Sequence, residues 1–207
     1  MRLSRLPDAS PPSSSGLILA SASPRRRELL TQLAIPFTVI PANIDEQSYP
    51  AEAPHAYVVR VAQAKAQHVA QQCPTAVVLG ADTVVVLDHE MLGKPRSVDH
   101  ARQMLSQLSG RQHTVITGLA VIHHAQHFLR CDTVRTLVCF RALTPADIEG
   151  YLATGEPFDK AGAYAVQGIG GAFVTSLEGC YTNVVGLPVR RTATLLRAAG
   201  LCPEDSG

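Results

Sequence analysis

One apolar segment, residues 76–87 with the sequence AVVLGADTVVVL, limits the fold of this chain more than any other feature. The run is nearly continuous, which is typical of a β-strand covered on both faces. Asp82 stands in its middle, where an ionised carboxylate costs several kcal/mol unless it is paired or bound to a metal. Asp82 is therefore either a structural residue that bonds backbone amides at a bulge or part of a functional site. The adjacent residues in the sequence favour neither interpretation.

Helices and strands are interspersed along the rest of the chain. Ser23 and Pro24 have the residue types of an N-cap and a first helical position, and Ser97 and Thr144 open later helices. The apolar spacing predicts helices at residues 24–33, 54–72, 98–109, 145–153 and 188–199. Further strands are predicted at 17–20, 37–40, 113–122, 128–140 and 174–177, with a turn at 88–90 and a glycine-rich loop at 155–172. Because the pair at 113–140 should be antiparallel, the predicted fold class is α/β with a mixed central sheet.

Composition excludes several classes of protein. A net charge of +1 and 5% aromatic residues argue against nucleic-acid binding, and the lack of a long apolar run predicts no membrane span. Five cysteines without a C-x-x-C pair are typical of reduced thiols in a cytoplasmic protein, and no signal peptide is predicted. We expect a disordered tail at residues 1–15, a single domain at 16–201 and a short tail at 202–207.

Three consecutive arginines follow the first predicted strand, in the segment Ser21-Ala22-Ser23-Pro24-Arg25-Arg26-Arg27. Backbone N–H groups at a helix N-terminus attract anions, so cations placed there oppose the helix dipole. A bound polyphosphate would resolve this conflict through charge-assisted contacts with the guanidinium groups. The alternative is a solvated basic turn, which is the usual character of a charge run, but the local conflict favours a phosphate site.

Four further charged residues are less informative one by one. Lys65 on the second helix and Lys94 in the loop Gly93-Lys94-Pro95 are each more typical of the surface, and that loop is not a Walker motif. Asp45 and Glu46 follow the strand at 37–40. They could join Asp82 in holding magnesium, which prefers carboxylate and phosphate oxygens. Alone, the two acids indicate an exposed turn.

A series of short motifs runs between Leu17 and about Leu196. In order they are Ala20-Ser21-Ala22-Ser23-Pro24-Arg25-Arg26 with Glu28-Leu29-Leu30, Ile44-Asp45-Glu46, Tyr57-Val58-Val59-Arg60 with Lys65-Ala66, Gly80-Ala81-Asp82-Thr83, Gly93-Lys94-Pro95, Leu108-Ser109-Gly110, Thr117-Gly118, Asp159-Lys160-Ala161-Gly162-Ala163-Tyr164-x-x-Gln167-Gly168 and Val185-Gly186-Leu187-Pro188. Each motif is modest alone, but in this order they resemble the Maf family of nucleotide pyrophosphatases. The resemblance covers nearly the whole chain outside its tails.

This resemblance implies a structure of two lobes around a cleft, similar to inosine triphosphatase, and frequent homodimers. It also implies hydrolysis between the α- and β-phosphates of a nucleoside triphosphate with a divalent metal, Mg or Mn. Asp82 matches the family's catalytic acid, usually described as a proton acceptor. Cleft residues that hold phosphates or metal match Ser21, Arg25, Arg26, Glu46, Lys65 and Lys94. Whether Asp82 deprotonates the attacking water or, with Glu46, binds the metal stays open.

The substrate is narrowed by three positions. Arg25, Thr83 and Gln167 match the subgroup that prefers dTTP and UTP, whereas the subgroup that prefers 7-methyl-GTP tends to carry an aromatic residue, Gln and Glu there. Uracil and thymine present an N–H donor between two carbonyl acceptors. The Gln167 amide offers both a donor and an acceptor, so it could pair with that edge.

A different class of function is also compatible with the resemblance. The chain could be a nucleotide-binding regulator of septum formation, the phenotype after which the family was named, without important turnover. An intact set of acidic and basic cleft residues favours an enzyme, because a pure binder would not need Asp82.

Overall fold

The computed structural model of the protein describes residues 16–201, and both predicted tails lie outside these residues. This part of the chain forms a seven-stranded mixed sheet. The strands are β1 (Leu17–Leu19), β2 (Phe37–Val39), β3 (Val77–Leu87), β4 (Glu90–Leu92), β5 (Gln112–His123), β6 (Phe128–Phe140) and β7 (Val174–Glu178). The helices are α1 (Pro24–Thr31), α2 (Pro54–Gln72), α3 (Val98–Leu108), α4 (Pro145–Ala153), α5 (Tyr181–Val185) and α6 (Val189–Ala198). None of the described helices is long and apolar enough to cross a bilayer.

The sheet has the order β2-β1-β3-β5-β6-β7, with the short β4 paired to β3. β1 runs parallel to β2 and β3, and the other pairs, including the predicted pair β5–β6, are antiparallel. Helices cover both faces, as the apolar run in β3 predicts: α2 packs on one face, and α1, α3, α4 and α6 pack on the other. Successive residues of β3 therefore enter opposite cores.

Several predicted boundaries are wrong. Helix α1 ends at Thr31 rather than near Leu33, and the predicted turn at 88–90 gives way to β4 already at Glu90. The predicted loop at 155–172 contains short 3-10 segments at Glu156–Asp159, Ala161–Ala163 and Ile169–Phe173. Helix α5 was not predicted, because its five residues are too few to show a helical period.

Two glycines bring α2 unusually close to the sheet. A Cβ atom at Gly80 on β3 would lie 2.1 Å from the carbonyl oxygen of Ala62, and one at Gly118 on β5 would lie 2.3 Å from that of Val58. Any larger residue would push the helix away from the strands. Since Asp82 follows Gly80 by two residues, it points to the same side and faces α2 across this short gap.

A buried histidine lies on the other face of the sheet. His113 is 3% exposed, and its Nε2 atom lies 2.8 Å from the hydroxyl of Tyr164 in a cluster with Phe140. Its Nδ1 atom has no hydrogen-bond partner among the described residues. Burial lowers the pKa of His113 to about 4, so the imidazole is neutral in the folded protein at neutral pH.

Acidification from pH 7 to pH 5 is therefore expected to lower the free energy of unfolding by about 2 kcal/mol through His113. The imidazole binds a proton near pH 6.5 in the unfolded chain but near pH 4 in the folded protein, so the unfolded state binds more protons in this window. This stability is fully present above pH 6.5 and is lost as the pH falls towards 4. Urea titrations at pH 5, 6 and 7 measure it. The loss should vanish in His113→Gln and persist in the exposed-site control His55→Gln; equal pH dependence in both variants contradicts the assignment.

Candidate active site

A cavity of about 330 Å³ opens where β1, β3, α1, α2 and the loop at 155–172 meet. It is lined by nine of the side chains that the sequence singled out: Ser21, Arg25, Arg26, Glu46, Lys65, Asp82, Thr83, Lys94 and Gln167. Asp45, the other acid considered as a magnesium ligand, does not line it, and its carboxylate accepts the N–H of Gln47. The nine residues are spread over nearly 150 positions of the chain. Because residues so distant in sequence line one cavity, we take this cavity as the candidate functional site.

The floor of the cavity holds a lysine between two carboxylates. Lys65 Nζ lies 2.8 Å from Asp82 Oδ1 and 2.9 Å from Glu46 Oε1. The side chains of Lys65 and Asp82 are only 8% and 9% exposed, whereas that of Glu46 is 47% exposed. A buried charge of either sign would be costly alone, so each stabilises the other. The Asp82 carboxylate accepts no backbone N–H among residues 16–201, and the β3–β5 register runs through it without a bulge. Asp82 therefore does not bond backbone amides at a bulge.

Arg26 reaches from α1 to the sheet and to the loop before α6. Its Nε donates to the carbonyl oxygen of Gly186 at 2.9 Å, and its two terminal nitrogens donate to Thr83 Oγ1 at 3.0 Å and Ser21 Oγ at 3.3 Å. Burial lowers the pKa of the guanidinium, and the negative charge of Asp82 opposes this effect. The guanidinium therefore has fixed protein partners, and these contacts offset the unfavourable placement of a cation at the N-terminus of α1.

A chain of hydroxyl groups extends this arrangement into the sheet. Thr117 Oγ1 donates to the carbonyl oxygen of the fully buried Asn183 at 3.1 Å. Thr83 Oγ1 and Thr117 Oγ1 lie 2.9 Å apart and share a hydrogen bond, and the Thr83 oxygen accepts from Arg26. The Asn183 amide in turn donates to Thr136 Oγ1 at 2.9 Å and to the Val115 carbonyl at 3.1 Å. Arg26 is thus held by groups that are themselves fixed.

The rim contains two residues that the sequence analysis did not select. Arg25 pairs with Asp159 at 3.3 Å, and Asp159 also forms an ion pair with Lys160, another residue that lines the cavity. Asp159 and Lys160 belong to one of the family-like motifs, which is the signal that could have found them. No local conflict of charge and burial marks Asp159, because its side chain is mostly exposed.

Glu156 fixes the loop that carries Gln167. Its carboxylate accepts hydrogen bonds from the Tyr151 hydroxyl at 2.8 Å and from the backbone N–H groups of Ile169 and Gly170 at 3.0 and 3.2 Å. A Cβ atom at Gly168 would lie 2.3 Å from this carboxylate, so a larger residue there would force the Glu156 side chain to move. The loop thereby presents Gln167 at the mouth of the cavity.

Lys94 and Gln167 are the uncommitted polar groups of the site. Both are exposed, and within residues 16–201 neither side chain has a hydrogen-bond or ion-pair partner. The loop of Lys94 is tied to the opposite wall by the N–H of Gly162, which donates to the Gly93 carbonyl at 3.0 Å. Both side chains are therefore available to a bound molecule.

The charges of the cavity suit a polyanion. Its basic side chains are Arg25, Arg26, Lys65, Lys94 and Lys160, and its acidic ones are Glu46, Asp82 and Asp159. The excess of positive charge attracts phosphate groups, and the N-terminus of α1 adds backbone N–H donors and the positive end of its dipole.

The donor set also fits a divalent cation that binds together with a phosphorylated ligand. Lys65 Nζ lies between Asp82 Oδ1 and Glu46 Oε1, within 2.9 Å of both, so the two carboxylates are neighbours in the cavity. Magnesium is commonly held by one or two carboxylates and completed by phosphate oxygens and water. No group of three or more His, Cys, Asp or Glu side chains in the described part of the chain could hold a metal. The described residues therefore do not form a metal site from protein ligands alone.

Fold and cavity together define an α/β protein with a cleft for a phosphorylated ligand. The chain belongs to the Maf family: the family profile, described as Maf-like protein, matches residues 16–199.

Similar proteins from three bacteria bear the name dTTP/UTP pyrophosphatase. That of Myxococcus xanthus is 54% identical over 185 residues, which cover 89% of this chain and 93% of the relative. Those of Shigella sonnei and Moorella thermoacetica are 53% and 52% identical, and the matches cover 88% and 90% of this chain and 92% and 96% of the relatives.

A solved structure shares the fold at low sequence identity. The HAM1 protein of Coxiella burnetii superimposes with a TM-score of 0.52 at 16% identity, over 89% of this chain and 99% of that one. The predicted fold class, α/β with a mixed central sheet, is confirmed.

Proposed function

We propose that this chain hydrolyses dTTP and UTP to the nucleoside monophosphate and pyrophosphate. The observation that carries the proposal is the placement of the acid Asp82 among the basic side chains of one cavity. Relatives that are 52–54% identical and named dTTP/UTP pyrophosphatase support the same reaction and substrates.

The reaction requires water to attack the α-phosphorus while the bond from the α-phosphorus to the bridging oxygen breaks. Such a transfer depends on positioning and on neutralisation of spreading negative charge more than on covalent catalysis by the protein. Arg25 and Arg26 on α1, Lys65 on α2 and Lys94 in the loop after β4 supply that positive charge. The proton of the attacking water passes to Asp82, whose Oδ1 is engaged by Lys65 and whose Oδ2 accepts no hydrogen bond within residues 16–201.

We further propose that Mg or Mn binds with the substrate, held by Asp82 and Glu46 together with phosphate oxygens. The cation would neutralise charge on the triphosphate. Lys65 then keeps both carboxylates aligned, since its ammonium group lies between them.

Product analysis tests the reaction. Purified protein, UTP and magnesium should give UMP and pyrophosphate in equal amounts on anion-exchange chromatography. Release of UDP and phosphate would place the attack at the γ-phosphorus and refute the proposal.

Replacing Gln167 with glutamate is expected to lower the ratio of kcat/KM for UTP to that for 7-methyl-GTP by about tenfold or more. A carboxylate cannot donate to a uracil carbonyl, whereas it can accept from the donor-rich edge of guanine. The Gln167 side chain has no protein partner within the described residues, so the change should leave stability unaltered. Gln112→Glu, at an exposed position outside the cavity, is the matched control. An unchanged ratio in Gln167→Glu would remove Gln167 from base recognition.

A homodimer stays a prediction from the family resemblance, and a cytoplasmic location stays a prediction from the pattern of cysteines. Sedimentation equilibrium tests the first, with twice the chain mass of 22.1 kDa as the expected result.

A further inference from the structure

The two carboxylates of the cavity floor are held in different ways. Asp82 is fixed by its strand, which pairs on both sides. Glu46 lies instead on residues 45–52, which we name the strap, a segment between β2 and α2 without helix or strand. The strap has few internal hydrogen bonds: Asp45 accepts the N–H of Gln47, and Tyr49 and Glu52 bond each other. A segment of this kind needs external anchors to hold a carboxylate in place.

Arg60 on α2 contacts the strap at three points. Its guanidinium donates to both carboxylate oxygens of Glu52 at 2.6 and 2.7 Å and to the carbonyl oxygen of Gln47 at 2.9 Å. It also lies over the ring of Tyr49, 4.1 Å from the centroid. The planar fork of an arginine makes all these contacts at once, which a lysine ammonium cannot do.

Tyr57, one turn earlier on the same helix, holds the neighbouring position. Its hydroxyl donates to the carbonyl oxygen of Glu46 at 3.0 Å. Burial, with the nearby charges of Asp82 and Glu46, raises the pKa of Tyr57 to about 12, so the hydroxyl remains a donor at neutral pH. Hydrogen bonds from Arg60 lower the pKa of Glu52 to about 2. The stabilising contribution of that carboxylate is present above its usual pKa and is lost only as the pH falls towards 2, so the anchor persists at neutral pH.

We propose that Arg60 and Tyr57 are positioning residues that hold the strap on α2 and thereby keep the Glu46 carboxylate facing Asp82. Neither side chain lines the cavity; they act through the backbone at residues 46 and 47. Helix α2 thus carries both positioning residues. It also carries Lys65, about one turn after Arg60 and two turns after Tyr57, and Lys65 contacts the carboxylate of Glu46. The part of this inference that concerns catalysis rests on the proposed function, since there Glu46 meets the metal and phosphates.

The test combines hydrogen exchange with metal-dependent kinetics on the full chain. Exchange of the peptide covering residues 45–52 is followed by mass spectrometry without nucleotide or metal. Pyrophosphate release from UTP is then measured as a function of manganese concentration. The variants are Arg60→Gln, Arg60→Lys and Tyr57→Phe. Arg102→Gln is the matched control, because Arg102 makes a similar bidentate contact with Glu149, at 2.5 and 3.0 Å, outside the cavity.

In Arg60→Gln the strap amides should exchange on the order of tenfold faster, while the helices keep their protection. The manganese concentration for half-maximal activity should rise by roughly 10–100-fold, as for other partners that orient metal ligands, and saturating manganese should restore part of kcat. Arg60→Lys should behave like Arg60→Gln, and Tyr57→Phe should show a smaller change in the same direction. Arg102→Gln should match the wild type in both readouts.

Unchanged strap exchange in Arg60→Gln would overturn the proposal, and so would faster exchange with an unaltered manganese dependence. The exchange measurement needs no substrate, so it decides the anchoring of Glu46 by itself. If the wild type released no pyrophosphate from any triphosphate while Arg60→Gln loosened the strap, the proposed function would fail and the anchoring would stand.

Discussion

Asp82→Asn is expected to lower kcat for UTP hydrolysis by about 10²–10⁴-fold, the range that a positioned proton acceptor contributes. The amide cannot accept the proton of the attacking water, and it is a poor ligand for a cation beside Glu46. Nucleotide binding should change much less, because the basic residues that we propose contact the phosphates remain. Initial rates of pyrophosphate release and equilibrium binding of UTP to the same preparation measure the two effects separately.

Two controls separate chemistry from folding. Asp88→Asn changes an acid just past the end of the same strand, in an ion pair with Arg111 outside the cavity, and should leave kcat unaltered. Asp82→Asn also leaves Lys65 buried with one carboxylate instead of two, which lowers stability. The double variant with Lys65→Gln removes that buried charge and should fold but remain inactive. Wild-type kcat in folded Asp82→Asn would exclude Asp82 as the proton acceptor.

Arg26→Lys is expected to lower kcat/KM for UTP by about 10²–10³-fold, the usual cost of removing one preorganised donor from a charged transition state. The substitution keeps a positive charge but loses the fork that bonds Gly186, Thr83 and Ser21 together. A lysine ammonium in the same place would have no fixed direction towards the phosphates. Steady-state kinetics with UTP and dTTP provide the measurement.

The neighbouring Arg27 supplies the comparison, because it is exposed and does not line the cavity. Arg27→Lys should stay within about twofold of the wild type, as surface substitutions usually do. Equal losses in both variants would show that the general charge of the segment matters and that the geometry of Arg26 does not.

The parts of the site that could be predicted from sequence are those where a residue conflicts with its surroundings. Asp82 conflicts with an apolar strand and Arg26 with a helix N-terminus, and both conflicts end in the cavity. The coverage of β3 on both faces follows from its apolar run in the same way. The assignment of Lys65, Lys94, Glu46 and Gln167 came from the family resemblance, because nothing local distinguishes them from surface residues.

The features that could not be predicted from the sequence depend on contacts between distant segments of the chain. Asp159 pairs with Arg25 across 134 positions, and no local feature of the sequence indicates that these two residues meet. The strap is similar: Arg60 looks like a surface arginine on a helix until the fold brings Gln47, Tyr49 and Glu52 against it. The close approach of α2 depends on Gly80 and Gly118, whose role is visible only when strand and helix are placed together.

Competition among nucleotides tests the central claim most directly. Wild type and Asp82→Asn are incubated with magnesium and an equimolar mixture of dTTP, UTP, CTP, ATP, GTP and 7-methyl-GTP, and each monophosphate is followed by mass spectrometry. We predict that dTMP and UMP appear first and fastest with the wild type, with pyrophosphate in equal amount, and that neither appears at a comparable rate with Asp82→Asn. Preferential formation of 7-methyl-GMP would contradict the substrate assignment, and no monophosphate from any nucleotide would contradict the assignment of this cavity as a pyrophosphatase site.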